Sequence, residues 1–275
     1  MNKKYQLLEN DTIQENGQTL YRIQALQDIP GVVKKGELGG YVESESNLSH
    51  NGKCWVGGEA KAFDNAQIRD NAQVSGNAKV YGHAWICDNA QVYGHAWICD
   101  NAQVSGNAKV YGHARVFGNA KIRDNARIFG DAIVYGNARV FGEARVFGYA
   151  QIRDNARVSG KVQVSGYAQI RDNAQIYDSA WVFGNVRICD NAQVSGNVKI
   201  RDNALAYHNA QISNNAQVFG NVEVFGNAQV YDDVKVGGKI RLGGNIVVMG
   251  QMKLYSDELR IVNAKGPVYV GGIEL

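Results

Sequence analysis

The residues of this chain best suited to chemistry are two histidines and an aspartate that follow one another at a fixed interval. His95, His113 and Asp131 are each eighteen residues apart. Imidazole and carboxylate groups can bind a metal ion or move a proton, provided that the fold brings them together. The interval of eighteen therefore has to be explained by the elements that carry these side chains.

A six-residue repeat accounts for the interval. Val or Ile occupies 30 of the 33 positions taken in steps of six from Val56 to Val248, and no residue is inserted between them. Gly or Asp stands two places after 31 of these positions, and Ala stands four places after 25 of them. Each hexad predicts a short strand with one inward aliphatic side chain, because β-branched residues favour strands, and then a corner that Gly, Asp and Asn can adopt.

Strands this short cannot bury one face alone, so successive coils must stack and share an interior. Three hexads close a triangular coil of eighteen residues, and the regular span holds about 11 coils. The predicted fold class is all-β, a single-stranded parallel β-helix. Residues eighteen apart then lie above one another at about 5 Å, and we call such a series a column.

The hexad pattern resembles the hexapeptide-repeat left-handed parallel β-helix, and this resemblance implies the left hand. The entry segment GELGGYVESESNLSHNGKCWV, residues 36–56, together with the later hexads, is similar to the bacterial YdcK family of hexapeptide proteins. The resemblance covers most of the chain through its hexads and about 25 residues through the entry segment.

The two ends differ from the repeat. Residues 1–30 are predicted to form an N-terminal β cap, with a hairpin where TLYRIQAL follows ENGQ, residues 31–254 the β-helix, and residues 255–275 a C-terminal cap. We place Val32, Leu38, Val42 and Leu48 in the first imperfect coils. Both caps would cover strand edges that otherwise recruit another chain.

The resemblance also bears on the histidines. Carbonic anhydrases of the γ class hold zinc between histidines of adjacent coils, and hexapeptide acyltransferases use a histidine as general base. His95, His113 and Asp131 are thereby low-ranked catalytic candidates. However, all three replace the Asn of a corner, and His and Asp accept a left-handed backbone as Asn does. We favour this structural interpretation and expect neither a metal nor a cofactor.

Aromatic residues recur at the outward position after the inward aliphatic. One column holds Tyr93, Tyr111, Phe129 and Phe147. A second column contains Phe63, Tyr81, Phe117, Tyr135, Tyr207 and Phe225. Rings of this kind can simply stabilise a sheet by stacking, or form an exposed strip that contacts another molecule. The second interpretation predicts a homo-oligomer, a dimer or a trimer, and leaves a foreign protein partner open.

Basic residues concentrate beside these rings. From residue 109 to residue 157 there are nine Lys or Arg and four Asp or Glu. They form two predicted columns, one of Lys109, Arg127 and Arg145 and the other of Lys121, Arg139 and Arg157. Cationic columns beside rings could follow a phosphate backbone, but they also keep a sheet face hydrated. Nucleic acid is therefore the less favoured partner.

Composition limits the remaining classes. The net charge of +3 excludes an acidic nucleic-acid mimic and disfavours a strongly basic binder. The start MNKKYQLLENDT has no apolar signal region and no run of 18 apolar residues occurs, so we expect a soluble cytoplasmic protein without a membrane partner. Its four cysteines, Cys54, Cys87, Cys99 and Cys189, form no CxxC pair and are expected to be free thiols.

One segment, YGHAWICDNAQV, occurs twice in succession at residues 81–92 and 93–104. Twelve residues are two thirds of a coil, so a duplication keeps the hexad register but rotates everything beyond it by one face. Packing survives such a change, whereas a catalytic constellation across the junction does not.

The sequence therefore favours a non-catalytic scaffold or binding protein. One alternative is an acyltransferase-like hexapeptide enzyme, although uninterrupted hexads leave little from which to build a concave site. The other is a protein of a phage or mobile element that binds and blocks a host complex.

Overall fold

A computed structural model describes residues 3–270, with side chains described as far as residue 262. The chain forms two compact units, residues 1–136 and residues 137–275. Each unit is a parallel β-solenoid with eighteen residues per coil, so the predicted fold class is confirmed. The end of the predicted C-terminal cap, residues 271–275, lies outside the described residues.

The first unit opens with long strands and continues with two-residue strands. Its elements are β1 (Tyr5–Glu15), β2 (Gln18–Ala25), β3 (Leu38–Val42), a 3-10 turn (Glu45–Asn47), β4 (Trp55–Val56), β5 (Lys61–Ala62), β6 (Gln67–Ile68), β7 (Gln73–Val74), β8 (Lys79–Val80), β9 (Trp85–Ile86), β10 (Gln91–Val92), β11 (Trp97–Ile98), β12 (Gln103–Val104), β13 (Lys109–Val110), β14 (Arg115–Val116), β15 (Lys121–Ile122), β16 (Arg127–Ile128) and β17 (Ile133–Val134).

The second unit repeats the two-residue strands and ends with two long ones. Its elements are β18 (Arg139–Val140), β19 (Arg145–Val146), β20 (Gln151–Ile152), β21 (Arg157–Val158), β22 (Gln163–Val164), β23 (Gln169–Ile170), β24 (Gln175–Ile176), β25 (Trp181–Val182), β26 (Arg187–Ile188), β27 (Gln193–Val194), β28 (Lys199–Ile200), β29 (Leu205–Ala206), β30 (Gln211–Ile212), β31 (Gln217–Val218), β32 (Glu223–Val224), β33 (Gln229–Val230), β34 (Lys235–Val248) and β35 (Lys253–Val270).

The inward aliphatic residues form the interior of each coil. Val56 pairs with Val74, and Val74 pairs with Val92, each in parallel register. All three are buried, as are the Ala residues that precede the strands. The predicted vertical file of valines is therefore confirmed, and it holds because β-branched side chains pack well on a strand with one buried face.

Backbone hydrogen bonds connect each coil to the next at a constant interval. The N–H groups of Gln91, Tyr93 and His95 donate to carbonyl oxygens seventeen residues further on, at 2.9, 3.0 and 2.8 Å. The bonds continue through the corner as well as along the strand. This satisfies backbone groups that an irregular corner would otherwise leave unpaired.

The corners place a left-handed residue two positions after the inward aliphatic, and it is usually Gly or Asp, with His208 and Asn214 as the other cases. Gly94 and Gly112 have φ of 74° and 73°, and Asp88 has φ of 59°. His95 and His113 follow these residues and do not occupy the left-handed position. Our backbone explanation for the two histidines and for Asp131 was therefore wrong, since the strain falls one residue earlier.

At the N-terminus, β1 and β2 form the predicted antiparallel hairpin, with Asn16 and Gly17 at positive φ in its turn. Strand β2 pairs with β3, and β3 joins the solenoid in parallel with β5. The register differs here from our expectation. Val42 pairs with Ala62, twenty residues on, and Leu38 is 52% exposed. The first coil is thus longer than eighteen residues, and Leu38 is not a core position.

Just before the hairpin, Lys4 is buried against the first coils. Lys4 Nζ donates to the carbonyl oxygen of Cys54 at 2.8 Å and lies 3.2 Å from its Sγ. Burial lowers the pKa of Lys4, and burial raises the pKa of the Cys54 thiol. Both groups are stabilised in their neutral forms.

At the other end, β34 pairs in parallel with β35 from Lys253 to Val270. Parallel pairing thus continues beyond the last regular hexad. The division into two caps and a repeat stays a prediction. Among the described residues, helices with the length and apolar character of a membrane span do not occur.

Candidate binding surface

Three rings of the predicted aromatic column lie in the first unit and stack on one another. We call Tyr93, Tyr111 and Phe129 the aromatic stack. Its ring centroids are 4.8 and 5.0 Å apart and its planes are within 4° and 2° of parallel. The rings are half-buried. Burial raises the pKa of the Tyr93 hydroxyl, with a smaller contribution from Tyr111. Phe147, the fourth predicted member, lies in the second unit.

The first basic column stands beside these rings. Lys109 and Arg127 are adjacent strand partners in the first unit, and each lies two residues before a ring of the aromatic stack. Because alternate residues of a strand share a face, cations and rings present one mixed surface. Arg145 has the same position relative to Phe147 in the second unit, where it pairs with Gln163 and is exposed.

The second basic column divides between the units. Lys121 is exposed and pairs with Gln103 in the first unit. Arg139 and Arg157 are exposed strand partners in the second. Two like charges side by side favour an anionic partner or solvent between them.

The second aromatic column is not uniformly exposed. Phe63 stacks on Tyr81 at 5.0 Å but is only 1% exposed, because Leu20 of the hairpin and Tyr41 of β3 cover it. Phe117 and Tyr135 stack at 4.9 Å in the first unit. Tyr207 and Phe225 stack at 5.2 Å in the second. The hairpin removes the first of these rings from any contact surface.

Sequence reasoning missed the tryptophans that precede inward residues. Trp85, Trp97 and Trp181 are 43%, 39% and 47% exposed. Each carries a cation over its ring: Arg69 at 5.3 Å from Trp85, Arg115 at 5.1 Å from Trp97, and Lys199 at 5.6 Å from Trp181. For Trp97 and Trp181 the available signal was a Lys or Arg eighteen residues away, whereas Trp85 has Gln at that interval on both sides.

Two corner tyrosines were also missed. Tyr149 and Tyr167 replace the usual Asn and stack at 5.0 Å, and they are 52% and 59% exposed. Elsewhere the same position forms ladders of amides, as where Asn155 donates to Asn173 and Asn173 donates to Asn191, at 3.3 and 3.1 Å. In their own column the two tyrosines stack as rings in place of amides.

The low-ranked catalytic candidates form a stack of rings and not a convergent site. His95 and His113 are exposed on the corner, with ring centroids 4.9 Å apart and planes within 5°. Zinc ligands direct their in-plane nitrogen lone pairs at one point about 2 Å away. Parallel stacked imidazoles do not converge in this way. Asp131 lies on the next corner of the same series and is exposed.

Two other groups bring together residues that can bind metals. Asp70 with Cys87 and Asp88, and Asp172 with Cys189 and Asp190, hold their ligand atoms within 4.8 Å of one another. The aspartates already serve the backbone, since Asp172 accepts the N–H of Asp190 at 3.2 Å.

Burial also disfavours the thiolate form of the cysteine in each group. Burial raises the pKa of Cys87 to about 11, and burial raises the pKa of Cys189 even with Arg171 beside it. A protonated thiol is a poor metal ligand. Arg69 beside Cys87 and Arg171 beside Cys189 also oppose a bound cation.

Comparison with known proteins agrees with this architecture. Three segments, residues 72–88, 126–142 and 150–166, match the family model of the YdcK β-solenoid repeat. No curated protein matches the chain. Among solved structures, a UDP-N-acetylglucosamine acyltransferase from Arabidopsis is similar, with a TM-score of 0.36 and 14% identity over 67% of this chain and 70% of that one. So distant a likeness says nothing about activity. The resemblance to the YdcK repeat expected from the hexads is confirmed in these three segments, and the chain is a β-solenoid protein.

Proposed function

We propose that this protein is a non-catalytic, cytoplasmic binding scaffold that associates with copies of itself through the aromatic stack. The observation that carries the proposal is the run of three parallel, half-buried rings at Tyr93, Tyr111 and Phe129. A contiguous apolar strip bordered by charges is typical of a protein contact surface.

The basic neighbours give this surface its specificity. Lys109 and Arg127 border the rings along one side. In a symmetric dimer the strip would meet the same patch of a second copy, and in a trimer it would meet another part of a second copy; in both the cations can reach carboxylates at the rim. Charge at the rim affects the rate and the orientation of association more than its strength.

The exposed histidine stack supports a role without catalysis. His95 and His113 lie on a convex corner, and their parallel rings leave no enclosed position for a substrate between them. Catalytic groups work in sites that exclude water and hold the substrate in a fixed orientation. An acyltransferase-like activity therefore has no supporting arrangement at these residues.

Mass in solution tests the proposal. We expect sedimentation of the wild-type protein to show a dimer or trimer that dissociates on dilution, and Tyr93→Ser to weaken association by about tenfold, since buried aromatic anchors dominate interfaces. The matched control is Tyr135→Ser, which removes one stacked tyrosine from the other column and should leave the mass unchanged. A wild-type monomer at all concentrations, or equal effects of both variants, would refute self-association through this surface.

A further inference from the structure

A gap interrupts the rings of the second unit. Phe147, Ser165 and Phe183 occupy equivalent outward positions on three successive coils, because β19 pairs with β22 and β22 pairs with β25 in register. The backbone is continuous through the three levels, with Phe147 N–H donating to Val164 at 3.0 Å and Ser165 N–H donating to Val182 at 2.9 Å. Only the ring at the middle level is replaced, by a hydroxymethyl group.

The gap has the dimensions of one ring. Paired strands lie about 4.8 Å apart, so Phe147 and Phe183 are separated by two such intervals, about 9.6 Å. In the first unit the same outward position holds a ring at each of three levels, with centroids 4.8 and 5.0 Å apart. A planar ring above Ser165 would therefore stack on both phenylalanines at ordinary distances.

The gap is also a cavity. Phe147, Ser165 and Phe183 line a space of about 250 Å³ together with Gln163, Trp181 and Val182. This is below the volume of about 300–1,000 Å³ that drug-sized ligands occupy. The wall is largely aromatic, with one hydroxyl and one amide as polar groups. A single flat ring system with edge polar atoms fits such a lining.

Cations stand on both sides of the cavity. Arg145 is the strand partner of Gln163 and is exposed, and Lys199 Nζ lies 5.6 Å from the centroid of the Trp181 ring. The third cation on this face, Arg201, is paired with Asp202 at 3.0 Å. On the face that carries the cavity, the outward residues at positions 145, 147, 163, 165, 181, 183, 199 and 201 include these three cations and no carboxylate. A ligand with a ring in the cavity would have its substituent next to positive charge.

We propose that the cavity above Ser165 binds a nucleotide, with the base stacked between Phe147 and Phe183 and the phosphate held by Arg145 or Lys199. Ring stacking is tolerant of base identity, and a cation beside the stack selects for phosphate. This inference rests on the proposed binding role and adds a ligand class to it. It does not depend on self-association, which we assign to the aromatic stack of the first unit.

Calorimetric titration of the intact protein tests the ligand class. Adenosine 5′-monophosphate should bind at one site per chain. Adenosine lacks the phosphate and ribose 5-phosphate lacks the base, so the affinity of each should be lower by a factor of at least about ten. Short single-stranded oligo(dA) is the last probe. If the oligonucleotide binds more tightly than adenosine 5′-monophosphate, the ligand of the cavity is single-stranded nucleic acid. If the two bind equally, the ligand is a free nucleotide.

Filling the gap with the chain's own ring tests the location. Ser165→Phe should weaken binding of adenosine 5′-monophosphate by about tenfold or more, because the new ring occupies the cavity, while Ser165→Ala should keep it. Ser195→Phe adds the same ring on another face and is the matched control. If Ser165→Phe does not fold, Phe183→Ser removes one stacking wall and should weaken binding to a similar extent.

Several results would overturn the inference. They are the absence of saturable binding, equal loss in Ser165→Phe and Ser195→Phe, or binding of adenosine as strong as that of its monophosphate. A change of sedimenting mass in Ser165→Phe without an effect on nucleotide would assign the cavity to a side chain of a second copy and also overturn it. Nucleotide binding by a monomer would leave this inference standing and remove only self-association.

Discussion

At the scale of single residues, the corner position shows how one side chain can serve both geometry and hydrogen bonding. Asp154 is left-handed with φ of 59°, and its carboxylate accepts the N–H of Asp172 on the next coil at 3.3 Å. Gly adopts the same backbone conformation without strain, but it has no side chain that could accept a hydrogen bond. Asp therefore compensates for its strained backbone with a hydrogen bond to the adjacent coil, which explains why Gly and Asp share this position.

Gly148 allows a direct test of this compensation. Its φ is 67°, and an added Cβ would lie 3.1 Å from the backbone nitrogen of Gly166. We expect Gly148→Ala to lower the free energy of unfolding by about 1 kcal/mol or more. Gly148→Asp should lose less, since its carboxylate can accept the N–H of Gly166. Urea unfolding monitored by circular dichroism measures both, and an alanine variant as stable as the aspartate variant would contradict the explanation.

At the scale of elements, the hairpin of β1 and β2 is fastened to the solenoid by a charge cluster. Glu15 at the end of β1 pairs with Lys61 at 2.6 Å and also with Lys79 on the next coil. Its side chain is only 12% exposed. Burial by itself would raise the pKa of Glu15, but the two lysines outweigh burial and the pKa lies below its ordinary value.

Glu15→Gln should therefore weaken the attachment of the hairpin in a pH-dependent way. Near neutral pH we expect the free energy of unfolding to fall by about 1–2 kcal/mol, as for a hydrogen bond to a charged group. Since the pKa is lower in the folded state, the wild-type advantage is complete above the ordinary value of 4.5 and disappears as the pH falls through the folded value.

The control for this prediction is Glu9→Gln. Glu9 is an exposed carboxylate on the same strand, and its replacement should change stability by less than about 0.5 kcal/mol. Urea unfolding at several pH values measures both variants. An advantage of the wild-type protein that persists at low pH would argue against the ion pairs as its source.

The elements also show what the sequence could and could not predict. The period of six predicted the length of the coil, the column of inward aliphatic side chains and the neighbours of each side chain, because every hexad packs in the same way. Contacts of residues outside the repeat follow no period, so the sequence pattern could not predict them. The burial of Phe63 by the hairpin and the twenty-residue first coil ending at Ala62 depend on tertiary contacts.

Other features escaped prediction because the pattern itself hid them. Ser165 matched a polar outward position and gave no sign of a cavity, since the vacancy depends on the rings above and below it. We expected the left-handed backbone at the Asn position of each corner, but it lies at the Gly or Asp one residue earlier. The sequence does not separate the two positions, because Asn and Asp are both common at turns. The hand of the coil followed from the family resemblance and not from the residues.

At the scale of the whole molecule, both units repeat one structural rule, and every surface described above depends on it. Each coil of eighteen residues adds one level to every column. The free energy of unfolding of such a chain is approximately the sum of the stability of each coil and of the contact energies between neighbouring coils. Removing a complete coil should then shorten the protein without disturbing its packing.

Deletion of one coil measures this rule most directly. Removing residues 163–180 joins Val162 to Trp181 in register, and we expect the shortened protein to keep its β-type circular dichroism and to melt cooperatively. Removing residues 163–177 should abolish both, because Ser179, Asn185 and Asn191 would then fall at inward positions. Equal damage from the two deletions, or a cooperative melt of the fifteen-residue deletion, would contradict the eighteen-residue coil and the columns built on it.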